Sequence, residues 1–179
     1  MTKLYGNTGE LIDWDSVIES IKDKPGRHLS VSNGTFERNE QMRELVKLWT
    51  DNNLNLDSML WINYYPDIDF DSKIIDIFSD FVGAKPARAW ISRVNPGHYV
   101  GYHTDYDDHI DEYLKLGHLV RYTCHMNKPK LGQVTMIKDD YLVSQAQGNV
   151  YRWDNYTDWH ASSNFGLSPK LQFNFLGYN

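Results

Sequence analysis

The sequence predicts a mainly β chain whose first half carries supporting helices. Three observations predict it. Up to Gly83 the apolar residues recur at helical spacing in three segments, whereas after Pro86 they alternate with polar ones. The alternating runs are short, at 87–94, 98–103, 119–126, 133–138, 141–145, 149–154 and 170–176. Turn residues separate them: Pro96-Gly97, Lys130-Leu131-Gly132, Lys138-Asp139-Asp140 and Gln147-Gly148. Many short strands with regular turns suggest a double-sheet jelly roll, a double-stranded β-helix of the cupin-like kind.

The elements follow in order. Residues 1–13 read as a leader, because Gly6, Asn7 and Gly9 break any regular pattern. Trp14, Val17, Ile18 and Ile21 share one helical face, with Asp13 placed as the cap and Lys24-Pro25-Gly26 as the end. His28 to Val31 fits a short edge strand before an Asn33-Gly34 turn. Met42, Leu45, Val46 and Trp49 form the stripe of a second helix over about 37–51, closed by Asn52, Asn53 and Asn55. Met59 to Ile62 reads as a strand, and Pro66 ends it. Asp71 caps a third helix, where Ile74, Ile75, Phe78, Phe81 and Val82 face a core and Gly83 is the stop signal. In the run 119–126, Arg121, Thr123 and His125 fall on one face, and Val120, Tyr122, Cys124 and Met126 on the other. The polar, acidic stretch Tyr106–Tyr113 suits a mobile loop. The expectation is a single domain over 1–179, with 1–86 as helical support holding one or two strands and 87–179 as the jelly-roll core.

Composition narrows the function. Hydrophobic residues make up 41% of the 179, enough for a packed core. Net charge is −6 and no Lys/Arg stripe appears, which argues against a nucleic-acid partner. No apolar run approaches a membrane span, and the amino terminus lacks the apolar segment of a signal peptide. Cys124 stands alone and cannot form an internal disulfide, so a cytoplasmic location is expected.

The chemistry concentrates in His103-Thr104-Asp105. On an extended chain residues i and i+2 share a face, so His103 and Asp105 converge from one strand end. His160 lies far downstream, on a later neighbouring strand. Two imidazoles and a carboxylate, with coordination positions left open, form the facial triad that holds Fe(II) in non-haem oxygenases. The bland reading is a surface His–Asp pair and a packed core histidine. Lys170 interrupts an otherwise apolar strand pattern, and Lys170, Gln172 and Asn174 share one face against Leu171, Phe173 and Phe175. Arg93-Val94 with Pro96-Gly97, then His103-x-Asp105, Arg121-x-x-x-His125, the Gly148 turn, Trp159-His160 and Lys170 together resemble the 2-oxoglutarate/Fe(II)-dependent dioxygenases. The nearest branches are the aspartyl/asparaginyl β-hydroxylase-like and, through Lys170, the prolyl 4-hydroxylase-like enzymes. The resemblance covers residues 87–179.

That resemblance implies a hydroxylase that uses Fe(II), 2-oxoglutarate as co-substrate and O2, and releases succinate and CO2. Its substrate would be an amino acid or a peptide or protein side chain of the Asp, Asn or Pro type. It implies His103, Asp105 and His160 as metal ligands and catalytic centre, and Lys170 as anchor of the co-substrate's far carboxylate. Arg121 and His125 match a basic pair lining the cavity, and Thr123 stands where the β-hydroxylase branch carries a further arginine. Thr123 or Tyr122 would aid Lys170, and Tyr99 or Tyr102 would offer a phenol. Lys170 as a solvated edge lysine and Arg121 as an ordinary cross-strand ion pair stay open. Arg93 either faces a substrate carboxylate or braces the turn, and Asn164 either bonds near the metal or forms a turn with Gly166. One rival is a cupin-like hydrolase or isomerase that uses another divalent metal without 2-oxoglutarate. The other is a binding module with no metal.

Overall fold

In the computed structural model the described residues are 2–31, 40–105, 110–143, 146–155 and 157–179. The Asn33-Gly34 turn, the start of the second helix at 37, the Met42 side chain, residues 106–109 of the acidic stretch and the end of the run 141–145 lie outside them. The strands are β1 (Lys3–Asn7), β2 (Arg27–Ser30), β3 (Leu60–Tyr64), β4 (Lys85–Val94), β5 (His98–His103), β6 (Leu119–His125), β7 (Gln133–Ile137), β8 (Asp140–Leu142), β9 (Asn149–Trp153), β10 (His160–Asn164) and β11 (Lys170–Tyr178). They form a seven-stranded sheet in the order β1-β9-β6-β11-β4-β3-β2 and a four-stranded sheet in the order β5-β10-β7-β8. The named strands pair antiparallel throughout. This is a mainly β jelly roll with supporting helices.

The helices are α1 (Trp14–Ile21), α2 (Glu40–Asp51), α3 (Lys73–Val82) and a short α4 (Ile110–Leu114). Asp13 caps α1, its carboxylate accepting from the Ser16 N–H at 3.1 Å. Gly83 ends α3 in the left-handed conformation at φ 66°. Trp14, Val17 and Ile21 of α1 and Ile74, Phe78 and Val82 of α3 bury their stripes against Ile91, Val120, Tyr122, Cys124, Phe173 and Phe175 of the large sheet. Its outer face is therefore apolar. Helix α2 packs elsewhere: Leu45 and Trp49 meet Met59, with Tyr99 of β5 against them.

Three expectations change. Residues 3–7 are not a leader but strand β1, which pairs with β9 at the sheet edge. The first half consequently supplies three strands, β1, β2 and β3, to the large sheet. Part of the acidic stretch is helical, as α4.

The inner face of the large sheet positions the site. Registers set three rows of side chains across it. Asn63, Ser92, Gln172 and His125 stand side by side. Trp90, Asn174, Thr123 and Tyr151 form the next row. Arg88, Leu176, Arg121 and Trp153 form the third. Strand β11 is central and covered on both sides, so its inward polar groups must find partners within the protein. They do. Asn174 Nδ2 donates to Ser92 Oγ at 3.0 Å, and Gln172 Nε2 donates to Thr135 Oγ1 at 2.9 Å and to Thr123 Oγ1 at 3.3 Å.

Candidate metal centre

His103 ends β5 and His160 begins β10, and the two are direct register partners. Their rings lie 4.3 Å apart between centroids, and Asp105 follows two residues past His103. One ligand atom from each of the three residues lies within 4.8 Å of the other two. His103 Nδ1 is 2.7 Å from the Gly101 carbonyl, and His160 Nδ1 is 3.0 Å from the Asp158 carbonyl. A carbonyl only accepts, so each Nδ1 carries the proton and each Nε2 is left as a bare acceptor. His160 Nε2 faces Asp105 Oδ1 at 3.5 Å, and with the ring neutral the two meet acceptor against acceptor. Acceptors that converge without a donor between them repel, and a cation removes the conflict. Two imidazole nitrogens and one carboxylate oxygen suit a divalent transition metal.

Electrostatics favour ligation. Burial, helped by the neighbouring His160 ring, pushes His103 down to about 4, so the imidazole is neutral at ordinary pH. Burial works against the Asp105 charge, but the Arg121 guanidinium leads the groups that offset it and holds the carboxyl well below the usual carboxylate range. Arg121 Nε lies 3.2 Å from Asp105 Oδ2, an ion pair by distance whose N–H is not aligned as a hydrogen bond.

Lys170 is 1% exposed and points across the interior to the small sheet. Its Nζ donates to the Val134 carbonyl at 2.5 Å and to Thr135 Oγ1 and Ser162 Oγ, each at 2.7 Å. These partners are neutral, and burial pushes the ammonium well below its ordinary value. A solvated edge lysine is thus ruled out. His125 Nε2 is buried with no hydrogen-bond partner among the described residues. Burial and the Lys170 charge lower that ring to about 3, so it is neutral. Among the described residues no carboxylate partners the Lys170 ammonium, which fits an anionic guest.

The remaining residues divide. Thr123 lies on the same inner face as Arg121 and His125, in contact with Gln172 and Asn174. Tyr122 points the other way, into the core beside Phe78 and Phe175. The Tyr99 hydroxyl donates to the Asn55 carbonyl at 2.6 Å on the α2 side, which corrects its expected place beside the co-substrate. Tyr102 stacks on Trp159 at 5.3 Å, away from the triad's inner face. Arg93 shares the face of Ala89 and Ile91, opposite Trp90 and Ser92, and its Nε donates to Asn95 Oδ1 at 2.8 Å. There it braces the turn, on the face of β4 opposite the inner row of Trp90 and Ser92. Asn164 is likewise structural: Nδ2 donates to the Val94 and Ser168 carbonyls, and Oδ1 accepts from the Gly166 N–H. Cys124 is buried in the outer core, where burial pushes its thiol up to about 12.

Sequence reasoning missed Ser162, Thr135, Trp90 and Trp153. Ser162 was findable, since it stands two residues beyond His160 and shares its face. Trp90 and Trp153 carry no motif. Their place depends on the register of four strands.

No family model matches the chain, and no curated protein matches it in sequence. AviO1 from Streptomyces viridochromogenes Tue57 is similar in structure, with a TM-score of 0.52 and 13% identity over 99% of this chain and 89% of that one. At that identity the likeness shows the fold alone. The viral collagen prolyl hydroxylase vCPH of Paramecium Bursaria Chlorella virus-1, in its 2OG complex, gives a TM-score of 0.46 and 14% identity over 89% of this chain and 99% of that one. A Thermotoga maritima protein described as a predicted oxalate decarboxylase gives 0.40 and 12%, over 67% and 82%. No helix among the described residues is long and apolar enough to cross a membrane.

Proposed function

We propose that the protein is an Fe(II)- and 2-oxoglutarate-dependent dioxygenase that hydroxylates an amino-acid or peptide side chain. The observation that carries this reading is the placement of Lys170 relative to the triad. Ser162, which touches Lys170 Nζ, lies two positions from His160 on the same strand face. Two residues of strand span about 7 Å. A five-carbon keto acid chelating a metal at His103, Asp105 and His160 would end its far carboxylate near Lys170. The Thr135 hydroxyl and the His125 ring would supply further donors there.

Bound iron would supply the oxygen chemistry, and the chain supplies the rest. His103 and His160 present bare nitrogens because Gly101 and Asp158 hold their other protons. Lys170 becomes the counter-charge of an arriving carboxylate, which relieves its own uncompensated burial. Helices α1 and α3 seal the outer face of the large sheet.

The test is anaerobic titration of the Fe(II)-loaded protein with 2-oxoglutarate. A visible metal-to-ligand charge-transfer band is expected, and His103→Ala should abolish it. Iron-loaded protein without the band would instead favour a cupin-like enzyme that works without 2-oxoglutarate. No iron uptake at all would remove the triad reading.

A further inference from the structure

We infer that Arg121 is the positioning residue for Asp105. Clamped between two indoles, it holds one carboxylate oxygen so that the other alone is offered to the imidazole pair. This rests on the reading of His103, Asp105 and His160 as metal ligands.

Asp105 needs such a device. The β5 ladder ends at the His103–His160 pair, so no strand pairing fixes the backbone of Asp105. Its side chain must be aimed by something else. Arg121 comes from β6, well inside the large sheet, and is 3% exposed. Its guanidinium carbon lies 4.2 Å from the centre of the Trp90 ring and 5.5 Å from that of Trp153. Trp153 reaches it from the neighbouring β9 and Trp90 from β4, one strand beyond β11, so strands on both sides of β6 pack against the planar group. An arginine side chain carries about 2 kcal/mol of rotamer entropy, and such a clamp removes much of that freedom before any ligand arrives.

The orientation of the pair follows. Arg121 Nε sits 3.2 Å from Asp105 Oδ2, while Oδ1 faces His160 Nε2. One oxygen is taken on the large-sheet side and one is presented to the imidazoles. Among the described residues Asp105 is the carboxylate paired with this buried guanidinium, and a buried charge that loses its partner is costly. The two therefore hold each other. The geometry also separates Arg121 from the anchor at Lys170. Arg121 stands four residues from His125 along β6, about 13 Å of strand. It serves the ligand end of the cavity.

Co(II), whose visible absorption reports coordination, is the probe. It is titrated into the wild type, Arg121→Gln, Arg121→Lys and Trp90→Leu, with folding followed by circular dichroism. Arg121→Gln should weaken Co(II) binding roughly 10- to 100-fold and change the band shape. Arg121→Lys, which keeps the charge without the planar stack, should recover part of the loss. Trp90→Leu leaves both charged partners in place and should shift affinity in the same direction by less. Folded Arg121→Gln with wild-type affinity and spectrum overturns the inference. Should Arg121→Gln not fold, unchanged binding in Trp90→Leu overturns it. Failure of the wild type to take up Co(II) removes the metal reading itself, a result distinct from either of those.

Discussion

At the scale of single residues, Lys170 sets the clearest balance of forces. Three neutral oxygens hold its ammonium, and none neutralises it. Such a group is poor for stability and good for binding. Lys170→Met keeps much of the volume and removes the charge, and Gln172 continues to bond Thr135 and Ser162. The melting temperature should stay level or rise, because exchanging a buried charge for an apolar side chain is often neutral or stabilising. Affinity for 2-oxoglutarate should fall roughly 10- to 100-fold, the value of a charge-assisted bond of about 1.5–3 kcal/mol. Calorimetry and thermal unfolding check both, and unchanged co-substrate affinity would remove Lys170 as the anchor. A pH dependence comes with it. Burial lowers the Lys170 value below 10.5, and a bound carboxylate favours the charged form and raises it again. Binding therefore takes up a proton in the window between the lowered value and the restored one, and affinity falls as pH rises through that window. Binding heats measured there in two buffers of different ionisation enthalpy should differ for the wild type and agree for Lys170→Met.

At the scale of elements, β5 and α2 act together. Gly101 lies where a β-carbon would stand 2.6 Å from Met59 Cε and 3.0 Å from Trp49 Cε2. Trp49 Nε1 also donates to the Tyr102 carbonyl at 3.0 Å, tying α2 to the strand that carries His103. Gly101→Ala should cost about 1–3 kcal/mol by overpacking. It should also weaken metal binding, because the Gly101 carbonyl orients His103. Gly83→Ala is the control. It strains the left-handed end of α3 by about 1–2 kcal/mol with nothing within 4 Å, and it should leave metal affinity alone. Urea unfolding and Co(II) titration separate the two, and equal metal affinity in both variants would detach α2 from the site. The same elements show what the sequence could and could not disclose. The parity of β6 is legible, because Val120, Tyr122, Cys124 and Met126 are uniformly apolar and their alternates are not. The i, i+2 convergence of His103 and Asp105 is legible for the same reason. Strand β10, His-Ala-Ser-Ser-Asn, has no apolar pattern, and its form is imposed by pairing with β5 and β7 on both sides. Strand β1 is exposed over most of its length and bulged between Leu4 and Gly6, so pairing with β9 and not an apolar pattern of its own defines it. Arg93 was open because both faces of β4 carry apolar side chains, which leaves the inward one undetermined until the register is known.

At the scale of the molecule, the site is shared between the sheets. His103 and His160 belong to the small sheet, and Arg121 and Lys170 to the large one. Lys170 already bridges them through Val134, Thr135 and Ser162. A metal with a chelating dicarboxylate would complete the bridge at the other end, joining the imidazoles to the Lys170 cradle. Ligands that bind only the folded state stabilise it by mass action, by about 2.7 kcal/mol at a hundred times the dissociation constant. For a chain of this length that corresponds to a rise in Tm of roughly 5–11 °C. The order of addition carries the argument. Mn(II), chosen because it does not react with O2 here, should raise Tm alone, and 2-oxoglutarate should add to that rise only when the metal is present. His103→Ala should show neither shift, since the keto acid has no metal to chelate. A rise with 2-oxoglutarate alone, equal in wild type and His103→Ala, would mean that the Lys170 cradle binds carboxylates independently of the triad. The two halves of the site would then be neighbours in the fold without being partners in one reaction.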